Sequence, residues 1–101
     1  MAQLTKKELF NAKNSGTSIE KDMTIDVVGV GTFDDKDKDG HDVKVSVLVA
    51  KDGTVYTTIS ATVSNSIDML GEIIDEEGSV TVKVNQSKSN NGREFYQLQI
   101  I

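Results

Sequence analysis

The chain has no cysteine, no proline and no tryptophan. Without cysteine there are no disulfides and no thiolate metal sites, which fits a reducing cytoplasm, and a cytoplasmic location is expected. The lack of proline is unusual for a loop-rich β chain. Aromatics are scarce, with three Phe and two Tyr, and His41 is the lone histidine. No apolar run approaches membrane-spanning length, so no membrane partner is expected. The opening residues, MAQLTKKELFNAKNSG, lack the apolar centre of a secretory signal. At 101 residues the chain fits a single domain with a small core and modest stability.

The net charge is −5, but the acids are not spread evenly. Segments 34–42 (DDKDKDGHD) and 65–78 (NSIDMLGEIIDEEG) together hold ten of the sixteen acids and two of the eleven bases. The rest of the chain carries nine bases against six acids. A locally basic surface is therefore available to a polyanion, because local field decides docking more than net charge does.

Residues 5–13 read as a short helix, with Thr5 and Glu8 at capping-box spacing, Leu9 inward and Ser15-Gly16 as its stop. Nine residues do not hold a helix alone in water, so it must pack on the barrel, pack on another subunit or fray. A first strand is expected at 23–33, with Met23, Ile25 and Val27 on one parity and Val28 and Val30 on the other. Gly29 and Gly31 sit where the pattern shifts, as at a bulge or bend. A second strand is expected at 42–50, where Val43, Val45, Val47 and Val49 alternate cleanly. Asp52-Gly53 signals a hairpin turn into a third strand at 54–61. Residues 64–77 predict an amphipathic helix, N-capped by Ser64 and ended by Gly78. Its apolar stripe is Ile67, Leu70 and Ile74, joined by Ile73 or Met69. Strands at 79–87 and 93–101 follow, joined at Asn91-Gly92, a type I′ turn signal.

Strand-strand-strand-helix-strand-strand is the order of a five-stranded OB-fold Greek-key barrel, mainly β, with a helix between strands three and four. On this reading residues 1–22 form an N-terminal helical extension and 23–101 the barrel, one domain overall. Such barrels usually bind an extended chain across one open face. If the valine ladder fills the interior, Lys44, Ser46, Leu48, Tyr56, Thr58, Phe95 and Gln97 face outward. Tyr56 and Phe95, with Phe33 as a third ring, are the expected stacking platforms for bases, each stack being worth about 1–3 kcal/mol. Lys44, Lys51, Lys83, Lys88 and Arg93 lie on or near the same strands and turns, in reach of phosphates.

The closing hairpin, VTVKVNQSKSNNGREFYQLQI, together with the element order from Thr24 to Ile101, resembles the small phage-type single-stranded DNA-binding proteins with an OB fold. In that family a Lys/Asn/Gly loop joins strands four and five and is followed by Arg and an aromatic pair. The matching residues here are Lys88, Asn90, Asn91, Gly92, Arg93, Phe95 and Tyr96. The resemblance implies a stoichiometric binder of single-stranded DNA with little sequence preference, acting in phage or mobile-element replication or recombination. It implies single-stranded DNA as partner, with replication or recombination proteins beside it, and no cofactor. The sequence closes on a strand where bacterial relatives carry an acidic tail, so recruitment through such a tail is not expected. A homodimer, through the N-terminal helix or a strand edge, is compatible with the sequence.

Two other features bear on function. Asp35, Asp37, Asp39 and Gly40 match the opening of an EF-hand loop, but its twelfth position is Ser46 and a strand follows. The segment reads as a solvated loop. His41 within it has no nucleophile or base partner, and Glu72, Asp75, Glu76 and Glu77 read as a solvated helix face, so no enzyme is expected. The alternative function is a protein-interaction or virion-associated β-domain without nucleic acid.

Overall fold

Alternating β-branched residues build one curled sheet with a helix against it. The computed structural model describes residues 4–88, 90, 92 and 94–101. The elements are α1 (Lys6–Ser15), β1 (Thr17–Ser18), β2 (Thr24–Lys36), β3 (Asp42–Ala50), β4 (Val55–Thr58), α2 (Ala61–Glu77), β5 (Val80–Lys88) and β6 (Glu94–Ile100). The strands form a half-barrel sheet in the order β1-β4-β3-β2-β5-β6. All pairings are antiparallel except the β1–β4 contact, which is parallel. Among the described residues there are therefore six strands where five were expected. The added β1 is two residues long, too short to leave a periodicity in the sequence, and pairs Thr17 with Tyr56 and Ser18 with Thr57.

The long β2 holds the sheet's two halves together. Its first part pairs with β5 and its second with β3, and the register shifts between Val27 and Gly29. This is the bulge that the change of parity foretold. It lets Val27 and Val30 face the same core although they are three positions apart. That core joins Ile25, Val27, Val30, Leu48, Val80, Val82 and Val84 of the sheet to Val63, Ile67, Leu70 and Ile74 of α2. Gly78 ends α2 in the left-handed region, at φ 86°, and donates its N–H to the Ile74 carbonyl.

Several boundaries differ from expectation. β2 runs on through Asp34–Lys36, because Asp34 pairs across from Lys44 and Lys36 from Asp42. The Lys36–Asp42 ion pair is 2.8 Å long at that end. The loop is accordingly shorter than 34–42. α2 starts one turn early, with Ser60 as N-cap instead of Ser64, and this shortens β4. Ser60 makes no side-chain cap; its hydroxyl donates instead to the Tyr96 carbonyl of β6 at 3.0 Å. In the Asp52-Gly53 turn the Thr54 N–H donates to the Asp52 carboxylate at 2.9 Å, and this holds the carboxyl below its usual pKa. Gly92 has φ 78°, whereas Asn91 of the expected type I′ turn lies outside the described residues.

The main correction concerns β3. Val43–Val49 were expected to fill the core and Ser46 and Leu48 to face out. Leu48 and Ala50 are instead in the α2-side core, beside a fully buried Ser46. Val45 and Val47 are also buried, but opposite Phe33 and Gly31 on the other face of the sheet. Both faces of β3 are covered, so its hydrophobic alternation could not say which one meets α2.

α1 covers that second face. Its capping box is formed as expected: Glu8 N–H donates to Thr5 Oγ1 at 3.2 Å and Thr5 N–H to Glu8 Oε1 at 3.0 Å. Ala12 is buried, and Leu4 and Leu9 lie against Gly31. At the helix end Gly16 comes so close to β4 that a Cβ there would overlap Thr57 Cγ2 and the Ala12 carbonyl. Gly16→Ala should therefore destabilise the protein by about 1–3 kcal/mol, the usual range for overpacking. Urea denaturation measures the loss, and amide hydrogen exchange should place it in α1 and β1.

Candidate nucleic-acid interface

The outward side chains of β2, β3 and β4 meet the end of α1 in an open groove of about 500 Å³. Phe33, Val45 and Thr57 form its floor, one residue from each strand, brought side by side by the register Phe33↔Val45 and Val47↔Thr57. Lys13 of α1 and Ser18 of β1 stand on one wall. Ile59, 61% exposed, and Tyr96 close the other end, where β4 comes near β6. Tyr96 is half-buried against the core, and its backbone is tied to Ser60. The groove thus offers aromatic rings, a mostly apolar floor, the hydroxyls of Ser18, Thr57 and Thr58, and one cation.

Its acids are few but present. Asp35 lines it, and Lys13 Nζ lies 3.7 Å from Asp35 Oδ1, with both side chains partly exposed. An exposed pair of this kind contributes little to stability, so Lys13 is free to exchange partners.

The structure scatters the residues singled out in the sequence. Phe33 lies in the groove. Tyr56 was expected to face outward, but it stands across from Leu48 and packs half-buried against the core, because β3 and β4 present the opposite faces. Beside it a shallow pocket contains Lys51, Asp52 and Asp26, with Lys51 exposed in the turn. Lys44 is exposed across from Asp34. Lys83, half-buried between Thr24 and Gln99, is on the far wing of the sheet with exposed Lys88 and half-buried Phe95. Arg93 lies outside the described residues.

Sequence reasoning missed Lys13 and the groove-facing position of Tyr96. Tyr96 has the core parity that was read for it, and its exposed edge comes from its place at the β4–β6 gap. Lys13 was legible as part of a basic helix face, but nothing in the sequence set that helix over β2.

The Asp-rich loop is explained by its turn. Asp37 Oδ1 accepts from the N–H groups of Asp39 and His41, both at 2.9 Å. Oxygen and nitrogen atoms of Asp37, Asp39 and His41 approach within 4.8 Å of one another, on a largely exposed loop flanked by strands rather than helices. Among the described residues no helix is long and apolar enough to cross a membrane.

A half-open groove lined by two aromatic side chains and a cation beside an apolar floor suits a stretch of polymer better than a small molecule enclosed on all sides. Residues 2–101 match the family described as phage single-stranded DNA-binding protein, of the Phi29 type, and the chain belongs to that family. It is also 29% identical, over 93% of its length and 84% of the relative's, to a single-stranded DNA-binding protein of Bacillus phage B103. No solved structure matches significantly.

Proposed function

We propose that this protein coats single-stranded DNA during phage replication or recombination, by stoichiometric binding without sequence preference. Membership of the phage family over residues 2–101 carries the reading and favours it over a β-domain without nucleic acid. The groove supplies the chemistry. Bases stack on Phe33 and Tyr96, a contact that tolerates any base because every base has a flat face. Lys13 leaves Asp35 for a phosphate, and Ser18 and Thr57 offer hydroxyls to the backbone. The acids of α2 and of the β2–β3 loop repel a strand that strays from this face. The order of β2 to β6, with α2 between β4 and β5, supports reading these five strands as an OB barrel to which β1 is added.

Titration with oligo-dT, followed by tyrosine fluorescence at low and high salt, tests the function. Binding should weaken with a log–log salt slope of about −0.7 for each phosphate neutralised. The fluorescence change should disappear in Tyr96→Phe and persist in Tyr56→Phe. Absence of binding to oligo-dT at low salt would refute the function.

A further inference from the structure

Among the described residues, one side of α1 has no partner within the fold. Phe10 is 66% exposed, whereas Leu9 and Ala12, its neighbours in the helix, are turned to the sheet. Lys6, Phe10 and Lys13 are spaced i, i+4, i+7, so they form one stripe along the helix. A second depression, lined by Lys6, Phe10, Lys13, Phe33 and Asp34, shares Phe33 and Lys13 with the groove. The two are therefore one continuous surface. It presents the rings of Tyr96, Phe33 and Phe10 in succession, three of the five aromatics in the chain.

We propose that this stripe of α1 is an extension of the nucleic-acid interface, holding the nucleotides that leave the groove past Phe33; this rests on the single-strand reading above. Charge selects the occupant. α1 carries Lys6, Lys7 and Lys13 against Glu8 alone, in a protein of net charge −5. Glu8 is engaged by the Thr5 N–H at the helix start. Asp34 is the acid that faces the stripe, and Asp35 is already beside Lys13. A basic helix face with one projecting ring offers a polyanion of stacked bases both a phosphate contact and a platform. Phe10 continues the stacking and Lys6 takes the next phosphate.

The test uses the full chain and the double substitution Lys6→Ala/Phe10→Ala, which leaves Phe33, Lys13 and Tyr96 in place. Both residues are exposed, and a thermal melt checks that the fold is unchanged. Oligo-dT of about 5 nucleotides, within the span of one such domain, should bind the variant and the parent equally. Oligo-dT of about 12 nucleotides should bind the variant about tenfold more weakly, with a salt slope shallower by about 0.7. Equal affinity for the longer oligonucleotide overturns the extension. An equal loss at both lengths also overturns it, by placing Phe10 and Lys6 in the first-bound segment. A parent that binds neither length refutes the coating function itself. Sedimentation of the free protein covers the rival occupant: a dimer that the substitution splits, with DNA affinity unchanged, assigns the stripe to a second copy of the chain and overturns the proposal.

Discussion

Phe33→Ala is expected to weaken oligo-dT binding about tenfold or more at matched salt, with little change in melting temperature. The ring lies half-buried beside Val45, at the centre of the continuous surface that joins the groove to the face of α1. Removing one stacking platform costs about 1–3 kcal/mol of binding, and tenfold is 1.4 kcal/mol. The loss should be similar for dT and dA strands, since the lost contact reads no base edge, and the salt slope should stay the same because no cation is removed. Fluorescence anisotropy with labelled oligonucleotides gives all three quantities. Phe95→Ala is the paired control, because Phe95, although next to Tyr96 on β6, does not line the groove. If Phe95→Ala takes the tenfold loss and Phe33→Ala does not, the strand crosses the β5–β6 wing and the groove is not the site.

Leu48→Ala should cost about 2–5 kcal/mol of folding stability, the range for emptying a buried leucine site. Leu48 is fully buried in the cluster that joins the sheet to α2. In a domain whose total stability is about 5–15 kcal/mol, that is a large share. Urea denaturation should show a lower midpoint and an unchanged slope. The result separates two orientations of β3. Were Leu48 on the solvent face, as valine alternation alone indicates, truncation would stay within about 0.5 kcal/mol.

Features whose signal is local were legible in the sequence. Thr5 and Glu8 form a reciprocal cap because both partners lie within one helical turn. Gly78 and Asp52-Gly53 mark their turns through backbone conformations few residues adopt. The bulge was visible because it changes the parity of β2 itself. Features that depend on what lies across a face were not legible. The orientation of β3, and with it that of Tyr56, depends on α1 burying the valine side, a contact between distant segments. Ser60 reads as part of the third strand until its hydroxyl reaches a carbonyl thirty-six positions away. The groove is assembled from six elements, so no stretch of sequence displays it, and of the seven described residues singled out only Phe33 stands in it.

The seating of α1 on the sheet has a bearing on how the protein can be handled. Leu4 and Leu9 lie over Gly31, which pairs across from the fully buried Val47, so the residues leading up to and forming α1 hide the middle of the sheet. A fragment trimmed to begin at the first long strand would bare a hydrophobic stripe in the middle of a sheet, and its own copies would be the nearest thing to cover it. The leading residues thus act as a built-in solubilising cover, and a fusion partner or cleavage site belongs upstream of them rather than in their place.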